Sequence, residues 1–223
     1  MNFFSLIELN REQSIIKHLN QIKSNQSIGI EYRFIEKIDK VLKYFKDNNN
    51  QLEIIKKKII EVKKVEFFYD VLAELLIIYQ YLSDSAEFIK ETESSTPDIK
   101  SNKYLIEVKR IRLSNEQISV SDELLNNKNS IKISTSSTEN LKKNDESDAL
   151  NKKIEDKINE AIKQIGKKEG IIYIIYSIDI CDHCRDLHTR KKDLECYCLI
   201  YFNLKQIKHI KLFVVDLNDL ISK

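Results

Sequence analysis

The chain has 223 residues, of which 42% are hydrophobic and 32% charged, so it is long enough to bury the core of one generously sized domain. Its formal net charge of +2 excludes a polyanion binder that works by bulk charge, and any contact with nucleic acid needs a local basic patch. The N-terminal sequence lacks the basic start, apolar run and cleavage site of a secretory signal, and no stretch reaches about 20 apolar residues. We therefore expect a cytoplasmic protein without a membrane segment, whose cysteines are reduced.

Helix-compatible sequence covers residues 5–82, which contain no proline and a single glycine. The polar run NNNQ at 48–51 predicts a break, with one or two helices before it and one long helix after it. The segment 65–82 is apolar on almost every side, which is typical of a helix packed into a core. We expect residues 1–60 to form an N-terminal helical extension and residues 61–223 to form the main domain.

Three strand-like segments come next, at 86–92, 95–99 and 104–111. Residues 114–147 differ from them, because this stretch is rich in Ser, Asn and Lys and only weakly periodic. We expect residues 114–147 to be a flexible insertion, which could serve as a lid, a partner-binding loop or a plain insertion.

An apolar stripe at helical spacing then predicts a second long helix, which Gly166 or Gly170 can end. The stripe consists of Leu150, Ile154, Ile158, Ala161, Ile162 and Ile165. Apolar runs at 170–180, 196–202 and 210–217 predict further strands. The order of elements predicts a mixed sheet with helices packed against it, of class α/β or α+β.

The stretch TPDIKSNKYLIEVKR at 96–110 brings chemically active residues together. Alternate residues of a strand share a face, so Glu107 and Lys109 point the same way. If the turn lies in KSNK and Ile99 pairs with Tyr104, Asp98 falls diagonal to Glu107 on that face, roughly 7 Å away. A slip of one residue would turn Asp98 to the other face.

Such a cluster has the parts needed for phosphodiester hydrolysis. Asp98 and Glu107 could hold a hard divalent ion such as Mg²⁺, and the Val108 carbonyl could supply another oxygen. A metal ion lowers the pKa of a bound water and offsets charge on a phosphate, while Lys109 could orient that water or stabilise developing charge. The alternative is a solvated hairpin, in which Pro97 and Asp98 serve only as turn residues.

The residues PD, then eight residues, then EVK resemble the motif of the PD-(D/E)xK nuclease superfamily, which has the restriction-endonuclease-like fold. The order helix, three-strand meander, helix and strand is similar over roughly residues 66 to 180. The resemblance implies that Asp98 and Glu107 are metal ligands and that Lys109 is the catalytic lysine. It also implies Mg²⁺ or Mn²⁺ as cofactor and nucleic acid, DNA before RNA, as substrate.

Many members of that superfamily carry a further glutamate on the first helix, and the resemblance places it at Glu74. Independently, Glu74 is the one charged residue between positions 71 and 82, where a carboxylate is costly unless something binds it. A lysine from 61–64 could pair with it instead. For a helical Gln or Lys near the site, we prefer Gln164 to Lys157 on the second helix.

Cations that flank the cluster are expected to contact the nucleic acid. These are Lys100, Lys103, Arg110 and Arg112. Two other functions stay open: a catalytically weak nucleic-acid-binding or subunit-contact module of the same fold, and a helical interaction protein whose hairpin is incidental. The N-terminal helices could also form a homodimer contact.

The segment CDHCRDLHTRKKDLECYC at 181–198 holds all four cysteines of the chain. Two pairs, Cys181 with Cys184 and Cys196 with Cys198, could hold a structural Zn²⁺ that fastens a hairpin. In the predicted strand, Cys196 and Cys198 share one face. The alternative is that they are ordinary small apolar side chains.

Overall fold

The computed structural model describes residues 2–7, 10, 16–17, 20, 30–90, 96–111, 143–176 and 186–222. The helices in these ranges are α1 (Phe3–Ile7), α2 (Ile30–Tyr44), α3 (Asn49–Ile60), α4 (Val65–Gln80), α5 (Lys143–Ile165), α6 (Asp186–Leu204) and α7 (Leu217–Ser222). The strands are β1 (Glu87–Phe88), β2 (Ile99–Lys100), β3 (Leu105–Ile111), β4 (Gly170–Tyr176) and β5 (Ile210–Asp216). Among the described helices, none has the length and apolar character to cross a membrane.

The strands form one mixed sheet in the order β1-β2-β3-β4-β5. The first two pairings, β1 with β2 and β2 with β3, are antiparallel. The remaining pairings, β3 with β4 and β4 with β5, are parallel, and each of these two connections contains a helix, α5 or α6. The predicted class, a mixed sheet with helices against it, is confirmed.

Alternate residues of β4 belong to different cores, because helices cover both faces of the sheet. Tyr173 and its neighbours two residues away pack with α1–α4 and α7 in one apolar cluster. Ile172 and Ile174 pack with α5 and α6 in the other. Phe3 and Phe34, from the predicted N-terminal extension, lie in the same cluster as Tyr173. A domain boundary at residue 60 stays a prediction.

The stretch after the polar run is two helices, so the expectation of one long helix was wrong. Helix α3 begins after Asn48, whose side chain accepts a hydrogen bond from the Gln51 amide, and it ends at Ile60. The side chain of Asn10 donates to the carbonyls of Ile59 and Val62, at 2.7 and 3.1 Å. These carbonyls would otherwise lack partners at a helix end. A contact with a residue so distant in sequence is not visible in a local pattern.

The second predicted helix is confirmed as α5. Its stripe residues Ile154, Ile158 and Ile165 are almost fully buried. Gly166 follows with φ of +67°, the left-handed conformation that ends many helices and favours glycine. The helix begins at Lys143, so the last residues of the predicted insertion at 114–147 are helical. Residues 112–142 lie outside the described ranges.

The run 196–202 is helical and not a strand, so that prediction was wrong. It belongs to α6, whose Leu194, Cys198 and Phe202 face the core that contains Ile172. Their spacing of four residues is the helical period, and it was visible in the sequence. Leu199 and Ile200 mask this period, because both are apolar although they are exposed, and they make the run appear continuously apolar.

Candidate active site

The β2–β3 hairpin places Asp98 and Glu107 directly opposite each other. Ile99 pairs with Ile106 and Lys100 with Leu105, so the next pair along the hairpin is Asp98 with Glu107. The expected pairing of Ile99 with Tyr104 was therefore wrong by two residues. A shift of two residues leaves each side chain on its original face, whereas a shift of one would not. The predicted shared face is thus retained, and Asp98 lies opposite Glu107 and not diagonal to it.

The turn explains the shift. The Ser101 amide donates to the Tyr104 carbonyl at 2.9 Å, and the Tyr104 amide donates to Ser101 Oγ at 3.1 Å. These bonds close the turn over residues 101–104, one residue later than expected. The serine hydroxyl competes for backbone amides as such side chains commonly do in turns.

Backbone amides hold both carboxylates in place. The Asp98 amide donates to Glu107 Oε2 at 3.1 Å, and the Val108 amide donates to Asp98 Oδ2 at 2.9 Å. Val108 therefore contributes its amide to the cluster, while a role for its carbonyl stays a prediction. One oxygen of each carboxylate is therefore held by the backbone.

Lys109 lies beside Glu107, as the alternation of β3 predicted. Its Nζ is 2.7 Å from Glu107 Oε1 and 3.1 Å from Oε1 of Glu160 on α5. The Lys109 side chain is 13% exposed and the Glu107 side chain is fully buried. An exposed hairpin alternation would leave both residues in solvent, so the alternative of a plain solvated hairpin does not describe these two side chains.

Glu74 lies on α4 and is linked to this cluster through its electrostatic interaction with Asp98. Its Oε2 lies 2.9 Å from Nζ of Lys58 on α3, and the two side chains are 13% and 18% exposed. The alternative of a lysine from 61–64 was wrong, because the paired cation is Lys58 on α3. Glu74 and Asp98 interact electrostatically, because each negative charge makes ionisation of its neighbour harder.

The pKa values of the carboxyl groups reflect burial. Burial and the nearby Asp98 charge raise the pKa of Glu74 to about 8, against the opposing effect of Lys58. Burial and Asp98 likewise raise the pKa of Glu107 to about 8, although Lys109 opposes this. Burial also raises the pKa of Asp98, while the Val108 amide lowers it. Burial lowers the pKa of Lys109, but Glu107 and Glu160 outweigh it and the net shift is upward.

Three buried oxygens accept no hydrogen bond of normal geometry within the described residues: Glu74 Oε2, Glu107 Oε1 and Gln164 Oε1. The first two lie at ion-pair distance from Lys58 and Lys109. No three His, Cys, Asp or Glu side chains in the described ranges are already grouped as a metal centre. Buried carboxylates with incomplete hydrogen bonding nevertheless fit a hard divalent cation, which takes oxygen ligands and offsets their charge.

Gln164 is brought to the edge of this cluster by α5. Its Nε2 donates to the carbonyl of Thr96, at 3.3 Å, in the segment that leads into Pro97 and Asp98. Its buried Oε1 is an acceptor for a small donor such as water. A role for Gln164 in the site stays a prediction.

The expected nucleic-acid contacts differ in their surroundings. Lys100 is half-exposed and pairs with Glu87 at 2.7 Å, and Lys103 is exposed in the turn. Arg110 is not a surface cation: it is buried, and its Nε bonds Asp70 at 2.7 Å. Because successive strand residues alternate, Arg110 points away from the face that carries Lys109. Arg112 lies outside the described residues.

The strand geometry expected of the cysteines is wrong. Cys196 and Cys198 lie on α6, where residues two apart face different directions, and Cys196 is exposed while Cys198 is buried. Burial raises the pKa of the Cys198 thiol to about 12, as expected of an apolar side chain. Cys181 and Cys184 lie outside the described residues, and zinc binding stays a prediction.

Sequence reasoning missed Lys58 and Glu160. Each lies on a different element from its partner, so no spacing within one element connects them. The signal that could have found Lys58 was the isolated Glu74, which required a cation from elsewhere.

No family model, curated protein or solved structure matches the chain.

Proposed function

We propose that the protein is a metal-dependent nuclease that hydrolyses phosphodiester bonds of nucleic acid, with DNA favoured over RNA. The observation that carries the proposal is the convergence of Asp98, Glu107 and Lys109 on one face of the hairpin, with Glu74 of α4 in electrostatic interaction with Asp98. Burying carboxylates whose charges repel one another is costly, and such costs are concentrated at functional sites. The arrangement supports assignment of the chain to the PD-(D/E)xK nuclease superfamily.

Asp98, Glu107 and Glu74 are the residues that would hold Mg²⁺ or Mn²⁺. Their oxygens are of the type these ions prefer, and the backbone amides of Asp98 and Val108 already orient two of the carboxylates. When bound, such an ion supplies a Lewis acid, which makes water more acidic and offsets negative charge on a phosphate.

Lys109 acts on the phosphate itself in this proposal. Its ammonium is held by Glu107 and Glu160, so it is oriented before a substrate arrives. A preorganised cation stabilises charge that develops on the phosphoryl oxygens, without a cost of reorganisation during the reaction. Gln164 Oε1 could accept a hydrogen bond from the attacking water and orient it.

The test is cleavage by the purified protein with Mg²⁺ or Mn²⁺ on plasmid, linear duplex, single-stranded DNA and RNA substrates. We expect cleavage that EDTA abolishes and that falls by roughly 100-fold or more in Lys109→Ala, the size typical of a lost electrostatic contact in a transition state. The matched control is Lys57→Ala, which removes a lysine of α3 that is 72% exposed and leaves the buried cluster intact.

Two results would contradict the nuclease. Cleavage that is equal in Lys109→Ala and the wild type would point to a contaminant. Metal-dependent binding of nucleic acid by a folded protein, without cleavage of any substrate, would instead favour the catalytically weak binding module.

A further inference from the structure

Lys58 is part of the candidate active site although it comes from α3, in the predicted N-terminal extension. Its Nζ lies 2.9 Å from Glu74 Oε2, and its charge also acts on Asp98. The side chain is 18% exposed, so burial gives the ion pair more weight than a surface pair would have.

The neighbouring structure fixes this lysine from two sides. Its Nζ lies 5.4 Å from the centre of the Phe88 ring, within the range of a cation–π contact. Gln51, two turns earlier on α3, both donates to the Phe88 carbonyl at 3.0 Å and accepts from the Phe88 amide at 2.8 Å. Helix α3 is thus hydrogen-bonded to β1 at Phe88, the residue whose ring Lys58 contacts.

The charges of the cluster depend on Lys58. When ionised, as metal ligands must be, the buried carboxylates of Glu74, Asp98 and Glu107 carry three negative charges, and Lys58 and Lys109 contribute two positive charges. Glu160 also pairs with Lys109 but is 55% exposed, so solvent screens its charge and the count covers the buried groups alone. One divalent ion therefore changes the net charge from −1 to +1, which matches the single negative charge of one phosphodiester. A second divalent ion would leave an excess of three positive charges in a buried site, which is unfavourable.

We propose that Lys58 is a built-in cation that takes the place of a second divalent ion at Glu74, so that the site binds one divalent ion. The proposal rests on the proposed function for the identity of the site, but its readout is the number of ions bound and not the rate of cleavage. Lys58 acts through Glu74 and is a positioning residue.

The test is titration of the metal-free full-length chain with Mn²⁺ by calorimetry, with the free ion counted independently by electron paramagnetic resonance. We expect one Mn²⁺ per chain for the wild type. Lys58→Met, which keeps the length of the side chain and removes its charge, is expected to bind two. Lys58→Arg, which keeps the charge, is expected to bind one.

The matched control is Lys57→Met on the same helix. Lys57 is 72% exposed and lies 3.8 Å from Glu61, so its loss is expected to leave the count at one. Two ions bound to the wild type would overturn the proposal, whether or not any variant folds. A count of one in Lys58→Met, with circular dichroism that matches the wild type, would also overturn it.

The outcome separates this proposal from the nuclease proposal. One ion in the wild type and two in Lys58→Met, without cleavage of any substrate, would retain the role of Lys58 and contradict the nuclease. Two ions bound to a wild type that cleaves nucleic acid would support the nuclease and contradict the role of Lys58. No bound ion would contradict both.

Discussion

Asp98 and Glu107 lie opposite each other across the β2–β3 hairpin, and the amide of Asp98 donates to Glu107 Oε2 at 3.1 Å. The amide of Val108 in turn donates to Asp98 Oδ2 at 2.9 Å. Each carboxylate is held by the backbone of the strand that carries the other. An uncharged isostere can keep such a bond through its remaining oxygen, so the charge of the site can be changed without loss of its geometry.

Asp98→Asn is expected to weaken Mn²⁺ binding by about tenfold or more, because even changes outside the ligand set typically cost 10–100-fold. The amide oxygen of Asn can still accept from the Val108 amide, so the fold is retained. Calorimetric titration measures the affinity. Asp47→Asn, at a carboxylate that is 88% exposed, is the control and is expected to bind as the wild type does. Equal affinity in both variants would exclude Asp98 as a ligand.

The metal-free protein is expected to lose stability as the pH rises from about 5 to about 8. The pKa of Glu74 is raised from 4.5 to about 8 in the folded chain, so the folded state binds more protons than the unfolded state in this interval. The free energy of unfolding falls with pH wherever the folded state binds more protons. The stabilisation is therefore fully present below the unfolded pKa and is lost as the pH rises through the folded pKa.

Urea unfolding in EDTA at about pH 5, 6, 7 and 8 measures this dependence. These values span the interval in which the folded and unfolded states bind different numbers of protons. Glu74→Gln removes the titrating group, and its curve is expected to be flatter than that of the wild type. The difference between the two curves isolates Glu74 from other groups that titrate in the same range. Parallel curves would show that Glu74 does not gain a proton on folding.

Much of the site could be predicted because the face on which a strand residue lies depends only on whether its position is odd or even. Glu107 and Lys109 are two apart in one strand, and any even shift of the hairpin keeps Asp98 on their face. The exact pairing could not be predicted, because the side chain of Ser101 decides where the turn closes. Glu74 was identifiable because a lone carboxylate in an apolar helix needs a partner.

The parts that sequence did not reveal depend on contacts between distant elements. Lys58 meets Glu74 only because α3 folds back against α4, and Gln51 fastens α3 to Phe88 from a distance of 37 residues. The prediction of a strand at 196–202 was wrong for a different reason. Its aromatic residues, such as Tyr197 and Tyr201, which stack on the side of α6, are as typical of strands as of buried helices when they occur in an apolar run.

Gly170→Ala is expected to destabilise the protein by about 1–3 kcal/mol, the usual cost of overpacking a core. A Cβ at Gly170 would lie close to three side-chain carbons of Ile165, the nearest of them Cγ2. Urea unfolding measures the loss. The double variant Gly170→Ala with Ile165→Ala should be less destabilised than the sum of the two single variants, because the smaller side chain gives the new methyl group room. Strict additivity would mean that the two side chains do not meet.

Arg110→Met is expected to destabilise the fold by about 3 kcal/mol, because breaking a buried ion pair by removing one of its members is strongly destabilising. The Arg110 side chain is 1% exposed and bonds Asp70 at 2.7 Å. Lys100→Met, which breaks a half-exposed pair with Glu87, is expected to cost no more than about 1 kcal/mol. Urea unfolding in EDTA compares the stabilities of the two variants.

DNA binding of the same variants is followed by fluorescence anisotropy, with Ca²⁺ in place of Mg²⁺. Lys100→Met should lower both the affinity for DNA and its salt dependence, since each phosphate contact releases counterions. Arg110→Met should change neither under conditions in which it is folded. An Arg110→Met protein as stable as the wild type, with weakened DNA binding, would place Arg110 at the nucleic-acid surface after all.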